Sequence, residues 1–343
     1  MTRRLLPGLL LAALATPVLA DNIPVRFTMD WAWQGTQSYA LIAREKGYFE
    51  EEGIDITLER GFGSGRVPVD IAAGTYDMGV ADINPMIRFN AENPDTPVIA
   101  VAVFYDGSPL VAVAKKDGPI SEPKDLEGKT LAAPDFDAGR QLFPVFAKAT
   151  GIDDSTIEWL SVKPELREPM LARGEADAIT GFITSSTLSL KNIGVMPEDL
   201  VLFKYTDYGA DLYSGSIMTT PEFAGENPEA VTGVIRALAR GAADMIADPD
   251  AAIALLKEIE PLTDAEIERE RLQVAIEHMF VTPNVLENGL THVDMARMER
   301  GIRAVEDAYG LPNELTVEQI YTEAYLPPRE DLMLSGCPSC PES

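Results

Sequence analysis

The sequence predicts an α/β protein of two lobes. Apolar runs of strand length alternate with longer stretches of helical period, the pattern of a parallel sheet covered by helices. The alternation breaks at the polar, proline-containing segment 117–129 and restarts at Thr130. The 343 residues exceed what one small core needs and suffice for two domains of ordinary size.

Taken in order, a first strand is expected over residues 25–30, then a helix over 38–51 with Leu41, Ile42 and Phe49 on its inner side and a turn at Gly53. Residues 54–59 read as a strand, 66–73 as a short helix, 78–81 as a third strand, 84–90 as a helix and 98–104 as a fourth strand. The apolar run 111–115 reads as a strand leaving the first lobe, which puts the first crossover there. A second unit follows: a strand at 130–133, a helix near 141–149 and a strand at 157–162, with 164–173, 178–182 and 201–205 continuing the alternation. Residues 213–219 resemble a strand returning to the first lobe. Beyond Pro221 the chain is mainly helical to about residue 309, with helix starts at Pro228 and Asp248-Pro249-Asp250. The first lobe is therefore expected over 21–114 and 217–326 and the second over 115–216, with a proline-rich, partly ordered tail at 327–343. No fixed-period repeat and no low-complexity block interrupts this order.

Arg3-Arg4 followed by the apolar run 5–15 and the small residues of Val18-Leu19-Ala20 predict a secretory signal peptide cleaved between Ala20 and Asp21, and a periplasmic mature protein. The arginine pair also suits the twin-arginine route, but its flanking residues favour ordinary secretion. The run is shorter than the ~20 apolar residues of a spanning helix, so no stable membrane insertion is expected. No cysteine near the cleavage point would carry a lipid anchor. Asp and Glu outnumber Lys and Arg by 55 to 28, which excludes nucleic acid and anionic lipid as partners but leaves the ligand's sign open, because one pocket can be locally positive. Cys337 and Cys340 predict a local disulfide in an oxidising compartment. Redox catalysis would need the pair to open a helix after a strand, and a zinc ribbon would need two more cysteines. No cofactor or metal is expected, and the protein is expected to be monomeric.

Three segments together carry a family resemblance. Ala43-Arg-Glu-Lys-Gly-Tyr-Phe-Glu-Glu-Glu-Gly-Ile54 resembles an "A-x-x-x-G-Y-F-x-x-x-G-[LI]" pattern, Ala72-Ala-Gly-Thr-Tyr-Asp-Met-Gly-Val80 an "A-x-G-x-x-D-x-G" stretch, and Pro123-Lys-Asp-Leu-Glu-Gly-Lys-Thr130 the opening of a second lobe. Their order and separation resemble the periplasmic binding proteins that include aliphatic-sulfonate, taurine, nitrate and thiamine-pyrimidine binders. The resemblance implies a type II periplasmic-binding-protein fold, two lobes joined by two crossover segments around an open cleft, and a permease of the ABC importer class in the inner membrane as partner.

In open α/β sheets, ligands lie beyond the carboxyl ends of the strands, where helix N-termini expose unpaired N–H groups. After the first strand stand Trp31 and Trp33, two positions apart and able to stack on a flat ligand, with Gln34 beside them; the alternative is that each indole only packs. Gly63, Ser64, Gly65 and Arg66 follow the second strand and open a helix, an arrangement suited to an oxyanion. The segment is neither a dinucleotide fingerprint nor a phosphate loop, and a plain glycine-rich turn is the alternative. Asp82 and Asn84 end the third strand, where they bind ring N–H groups or cap a helix. In the second lobe Phe136 and Asp137 precede a helix, Arg140 points either to the cleft or to an outside carboxylate, Phe182 ends a later strand, and Tyr208 lies near the return crossover.

The expected function is binding by hinge closure, in which contacts made by both lobes exist only in the shut form. Trp31, Trp33, Phe182, Asp82 and Asp137 favour a flat nitrogen heterocycle such as a thiamine-pyrimidine precursor; Ser64, Arg66 and Arg140 favour a sulfonate, carboxylate or similar small anion; a heteroaromatic acid suits both. A pyrimidine-synthase-like enzyme is the rival from another class. The only histidines, His278 and His292, lie late in the chain without metal-ligand spacing, and no G-x-S-x-G occurs, so the protein is expected not to be an enzyme.

Overall fold

Ten strands pair into two five-stranded sheets in the computed structural model, which describes residues 22–334. The expected signal peptide and both cysteines lie outside the described residues. The strands are β1 (Ile23–Thr28), β2 (Ile54–Glu59), β3 (Met78–Asp82), β4 (Ile99–Val103), β5 (Leu110–Lys115), β6 (Thr130–Ala133), β7 (Glu158–Ser161), β8 (Ala178–Phe182), β9 (Leu200–Lys204) and β10 (Gly215–Thr219). The first sheet runs β2-β1-β3-β10-β4 and the second β7-β6-β8-β5-β9. In each, one strand lies antiparallel to both of its neighbours: β10 between β3 and β4, β5 between β8 and β9. Central strands such as β3 are buried along their whole length, as a sheet with helices on both faces demands, whereas the edge strand β2 alternates along its length, its Ile54 fully buried and Asp55 exposed.

The strand-and-helix alternation read from the sequence is present, with its crossovers placed differently. β5 belongs to the second sheet, where Leu110 pairs with Phe182 and Val111 with Lys204, so the first crossover falls in residues 104–109, ahead of the boundary expected at 114. The first sheet resumes at Gly215, two residues before the expected return. The apolar run of β5 carries no mark of which sheet it joins; the antiparallel register with β8 and β9 decides it. The helix expected over 38–51 is two, Ser38–Glu45 and Tyr48–Glu51, and the one near 141–149 is Ala138–Gln141 followed by Phe143–Thr150.

The first core gathers Phe27, Leu41, Phe49 and Ile217 under the long helix Pro228–Ala247, which packs on Ser38–Glu45. Gly241 makes that packing close, because a Cβ there would overlap the Tyr39 carbonyl oxygen. Tyr39, Phe104, Tyr105 and Phe280 cluster at the first crossover, Tyr105 meeting Phe280 edge-on at 5.0 Å. Part of the tail docks on the first lobe, beyond what its composition suggested: Leu332 is buried, its carbonyl accepts the Leu290 N–H at 2.8 Å, and Asp331 pairs with Arg236 at 2.9 Å. Two helices of the C-terminal region reach the second lobe: Ala265–Ala275 packs on Ile183–Asn192, and Met295–Tyr309 touches Phe143–Thr150. Among the described residues no helix is long and apolar enough to cross a membrane.

Candidate functional site

The carboxyl ends of β1, β2, β6 and β8 converge on a pocket between the lobes. From the first lobe it is lined by Asp30, Trp31, Gln34, Gln37, Gly63 and Ser64; from the second by Asp137, Ala138, Arg167, Phe182, Thr184 and Ser185. Its volume to the centre of a water-sized sphere is about 20 Å³, enough for one water molecule. A chamber of about 230 Å³ adjoins it and shares Trp31, Gln34 and Arg167. The lobes touch around the pocket: the Gly65 N–H donates to the Phe136 carbonyl at 3.0 Å, and Arg60 faces Glu165 at 3.7 Å. A ring-sized ligand therefore enters only when the lobes part.

The pocket is acidic. Asp30 is buried and, among the described residues, makes no ion pair; its partners are the Gln37 amide nitrogen at 3.4 Å and the Ser64 hydroxyl at 3.5 Å, both long. Burial pushes its carboxyl up to about 7, against the pull of those two hydrogen bonds. The Gln37 amide oxygen is buried without a hydrogen-bond partner. Asp137 caps the helix Ala138–Gln141, accepting the Arg140 N–H at 2.9 Å; burial raises its carboxyl, opposed by Arg167. Arg167, 1% exposed, donates to Asp137 at 2.8 Å, to Glu168 at 2.7 and 2.9 Å and to Ser185 at 3.2 Å, and lies 5.0 Å from the Trp31 ring centre. Its guanidinium is taken up by two carboxylates.

The structure brings Trp31, Gln34, Gly63, Ser64, Asp137 and Phe182 together and leaves the other candidates apart. Trp33 packs against the first core. Gly65 faces Gln141 and Phe136 outside the lining. Arg66 pairs with Asp70 at 2.8 Å beside the Phe136 ring, and Arg140 pairs with Asp135 at 2.8 Å over Trp159, so neither guanidinium serves the pocket. Asp82 caps Ile83–Glu92 and accepts from Asn84 at 2.7 Å and Ser214 at 2.8 Å, tying the end of β3 to the second crossover; burial pushes its carboxyl up to about 6. Tyr208 is half-exposed against Phe146 and Phe203. In the glycine loop the Gly61, Gly63, Gly65 and Arg66 N–H groups donate to the Trp31, Asp30, Phe136 and Gly63 carbonyls at 2.8–3.0 Å, so these four donors are engaged within the protein. Residues outside the candidate set are Asp30, Gln37, Ala138, Arg167, Thr184 and Ser185. Asp30 and Thr184 were legible as strand-end neighbours of Trp31 and Phe182; Arg167 sits in a short helix with no local signature and reaches the pocket only because that helix packs on β6 and β8.

Two sheets, each with one antiparallel strand inserted, joined by two crossovers around a shared pocket, define the class as the periplasmic-binding-protein fold. The alkanesulfonate-binding protein SsuA of Xanthomonas axonopodis pv. citri, solved with MOPS bound, superposes with a TM-score of 0.69 at 18% identity, over 88% of this chain and all of that one. The chain belongs to the NMT1/THI5 like family, which it matches over residues 34–252. It is 28% identical to the formylaminopyrimidine-binding protein of Halalkalibacterium halodurans, over 80% of this chain and 84% of that protein. It is 22% identical to a 4-amino-5-hydroxymethyl-2-methylpyrimidine phosphate synthase of Legionella pneumophila, over 91% of this chain and 96% of that protein.

Proposed function

We propose that this chain is the periplasmic solute-binding component of an ABC importer, and that its ligand is a flat nitrogen heterocycle that donates hydrogen bonds, of the aminopyrimidine type. The observation that carries the ligand class is the Asp30 carboxyl, without an ion pair, beside the unpartnered Gln37 amide oxygen, two acceptors on residues that line one pocket whose guanidinium is already held by two carboxylates. An amino group with an adjacent ring nitrogen satisfies such a pair, and a carboxyl with its affinity for protons raised to about 7 can carry the shared proton on either partner. Trp31 and Phe182, one from each lobe, supply the apolar walls for a ring. A sulfonate would enter among carboxylates with no free cation to meet it, which disfavours the anion reading. The resemblance to a formylaminopyrimidine-binding protein supports the same ligand class.

The reading is capture, not catalysis: the residues lining the pocket include no lysine, histidine or cysteine. Ligand contacts made by both lobes draw the population to the shut form, which a permease then receives.

The deciding experiment is calorimetric titration of ligand-stripped, refolded protein with 4-aminopyrimidines and, separately, with taurine and alkanesulfonates. Micromolar or tighter binding of the pyrimidines alone is expected; sulfonate binding without pyrimidine binding overturns the ligand class.

A further inference from the structure

The helix Ala265–Ala275 belongs to the first lobe by packing, yet its two buried charges bond both rims of the pocket. Glu268 Oε2 accepts the Gly35 N–H at 2.7 Å, one residue from Gln34. The same oxygen accepts Arg271 Nε at 2.9 Å. Arg271 Nη1 then crosses to the second lobe and donates to the carbonyls of Thr184 at 2.6 Å and Ser185 at 3.2 Å, the two residues that follow Phe182 into the pocket wall. Its Nη2 reaches the Ser189 hydroxyl at 3.4 Å. Both side chains are almost wholly buried, at 3% and 7% exposure. Further out on the same helix, Glu270 pairs with Lys191 of the second lobe.

We propose that Glu268 and Arg271 are positioning residues for the ligand site, a clamp that sets the spacing of the two rims and biases the lobes towards the shut form even without ligand. The inference rests on the two-lobe closure argued above, but not on the identity of the ligand. An ion pair by itself would stabilise only its own helix. Here the guanidinium's remaining donors end on backbone carbonyls of the opposite lobe, so those charge-assisted bonds exist only while the rims are apposed. Separation of the lobes exposes Arg271 and both carbonyls to water, and the shut arrangement is favoured by the difference. Because the acceptors are backbone atoms at fixed places beside Phe182, the clamp also fixes how far the second-lobe wall stands from Gln34 and Trp31.

The test uses the full chain without ligand. Small-angle X-ray scattering compares wild type with Arg271→Ala, and stopped-flow displacement measures the dissociation rate of a bound 4-aminopyrimidine. The expected results are a larger radius of gyration for the ligand-free variant and dissociation faster by on the order of tenfold, the loss of one or two charge-assisted bonds. A residue that only supports its helix would lower the melting temperature without enlarging the ligand-free particle, and a cooperatively folded variant with wild-type dimensions and dissociation rate overturns the proposal. Should Arg271→Ala not fold, Arg271→Lys decides. It keeps the charge beside Glu268 and loses the fork onto two carbonyls, so a radius and off-rate above wild type support the clamp, and wild-type values for both overturn it. The scattering arm needs no ligand, so failure of the pyrimidine assignment leaves it standing and is read separately.

Discussion

Gly63 of the first lobe lies directly under Phe136 of the second: a Cβ built on Gly63 would stand 2.5 Å from the Phe136 carbonyl oxygen, the same oxygen that accepts the Gly65 N–H across the cleft. Gly63 also holds φ at +135°, a region that L side chains rarely adopt. Alanine at this position therefore meets the opposite lobe as the cleft shuts. Gly63→Ala is expected to weaken ligand binding by about tenfold or more while lowering unfolding stability by about 1–3 kcal/mol, the scale of local backbone strain. Equal titration curves for variant and wild type would mean that the cleft shuts without this contact.

Asp30 makes stability depend on pH in an uncommon direction. The folded carboxyl keeps its proton up to about 7, whereas the unfolded one releases it near 3.8, so the folded state binds more protons between those values. Stability of the ligand-free protein is then full below the unfolded value and is lost as pH rises through 7. Asp82, pushed up to about 6, adds to the same slope. Asp30→Asn is expected to stabilise the ligand-free protein at pH 8 by on the order of 2–4 kcal/mol relative to wild type, and to have little effect at pH 4. The same variant should lose the ligand, because it no longer offers a carboxyl. Urea denaturation at both pH values, paired with titration at pH 7.5, checks the two halves; a pH-independent difference would place the Asp30 carboxyl in water.

Much of this arrangement was legible along the chain because strand ends and their successors are local features. Trp31, Ser64, Asp137 and Phe182 each stand within a few residues of a strand end, and the α/β rule alone sends such residues to the cleft. What the order of residues could not supply is where long side chains find partners. Arg66 and Arg140 follow strand ends as well, but Asp70 sits four positions from Arg66 and Asp135 five from Arg140, and these near carboxylates draw both guanidinium groups outward. Arg167 shows the converse, an arginine at the first position of its short helix drawn inward by Asp137, thirty positions away and in contact only once β6 and β8 are paired. The sheet membership of β5 escaped for the same reason, since a strand that is apolar but for its last residue, Lys115, fits either sheet until its neighbours are known.

The first lobe depends on the close approach of Ser38–Glu45 and Pro228–Ala247, and Gly241 lies where they meet, against the Tyr39 carbonyl and the Ala43 methyl. Gly241→Ala would raise helix propensity yet force the two helices apart. Overpacking at a buried contact of this kind costs about 1–3 kcal/mol, more than the roughly 1 kcal/mol that alanine gains over glycine in a helix interior. Net destabilisation in urea is expected. A variant more stable than wild type would show that the helix pair can slide.

The placement of the arginines separates the two ligand classes without any knowledge of the natural ligand. If a small anion were the solute, Arg66 and Arg140 would be candidate cations for it, alongside Arg60, and both carry partners of their own instead, at Asp70 and Asp135. Exposed pairs of that sort contribute about 0–1 kcal/mol to stability. The double variant Arg66→Ala, Arg140→Ala is therefore expected to fold, to lose at most about 2 kcal/mol, and to bind a 4-aminopyrimidine within about threefold of wild type at every salt concentration. A loss of affinity that deepens as salt is lowered would mean that one of these guanidinium groups turns inward to meet a negative ligand, and the acidic pocket around Asp30 would then be a secondary feature of the cleft.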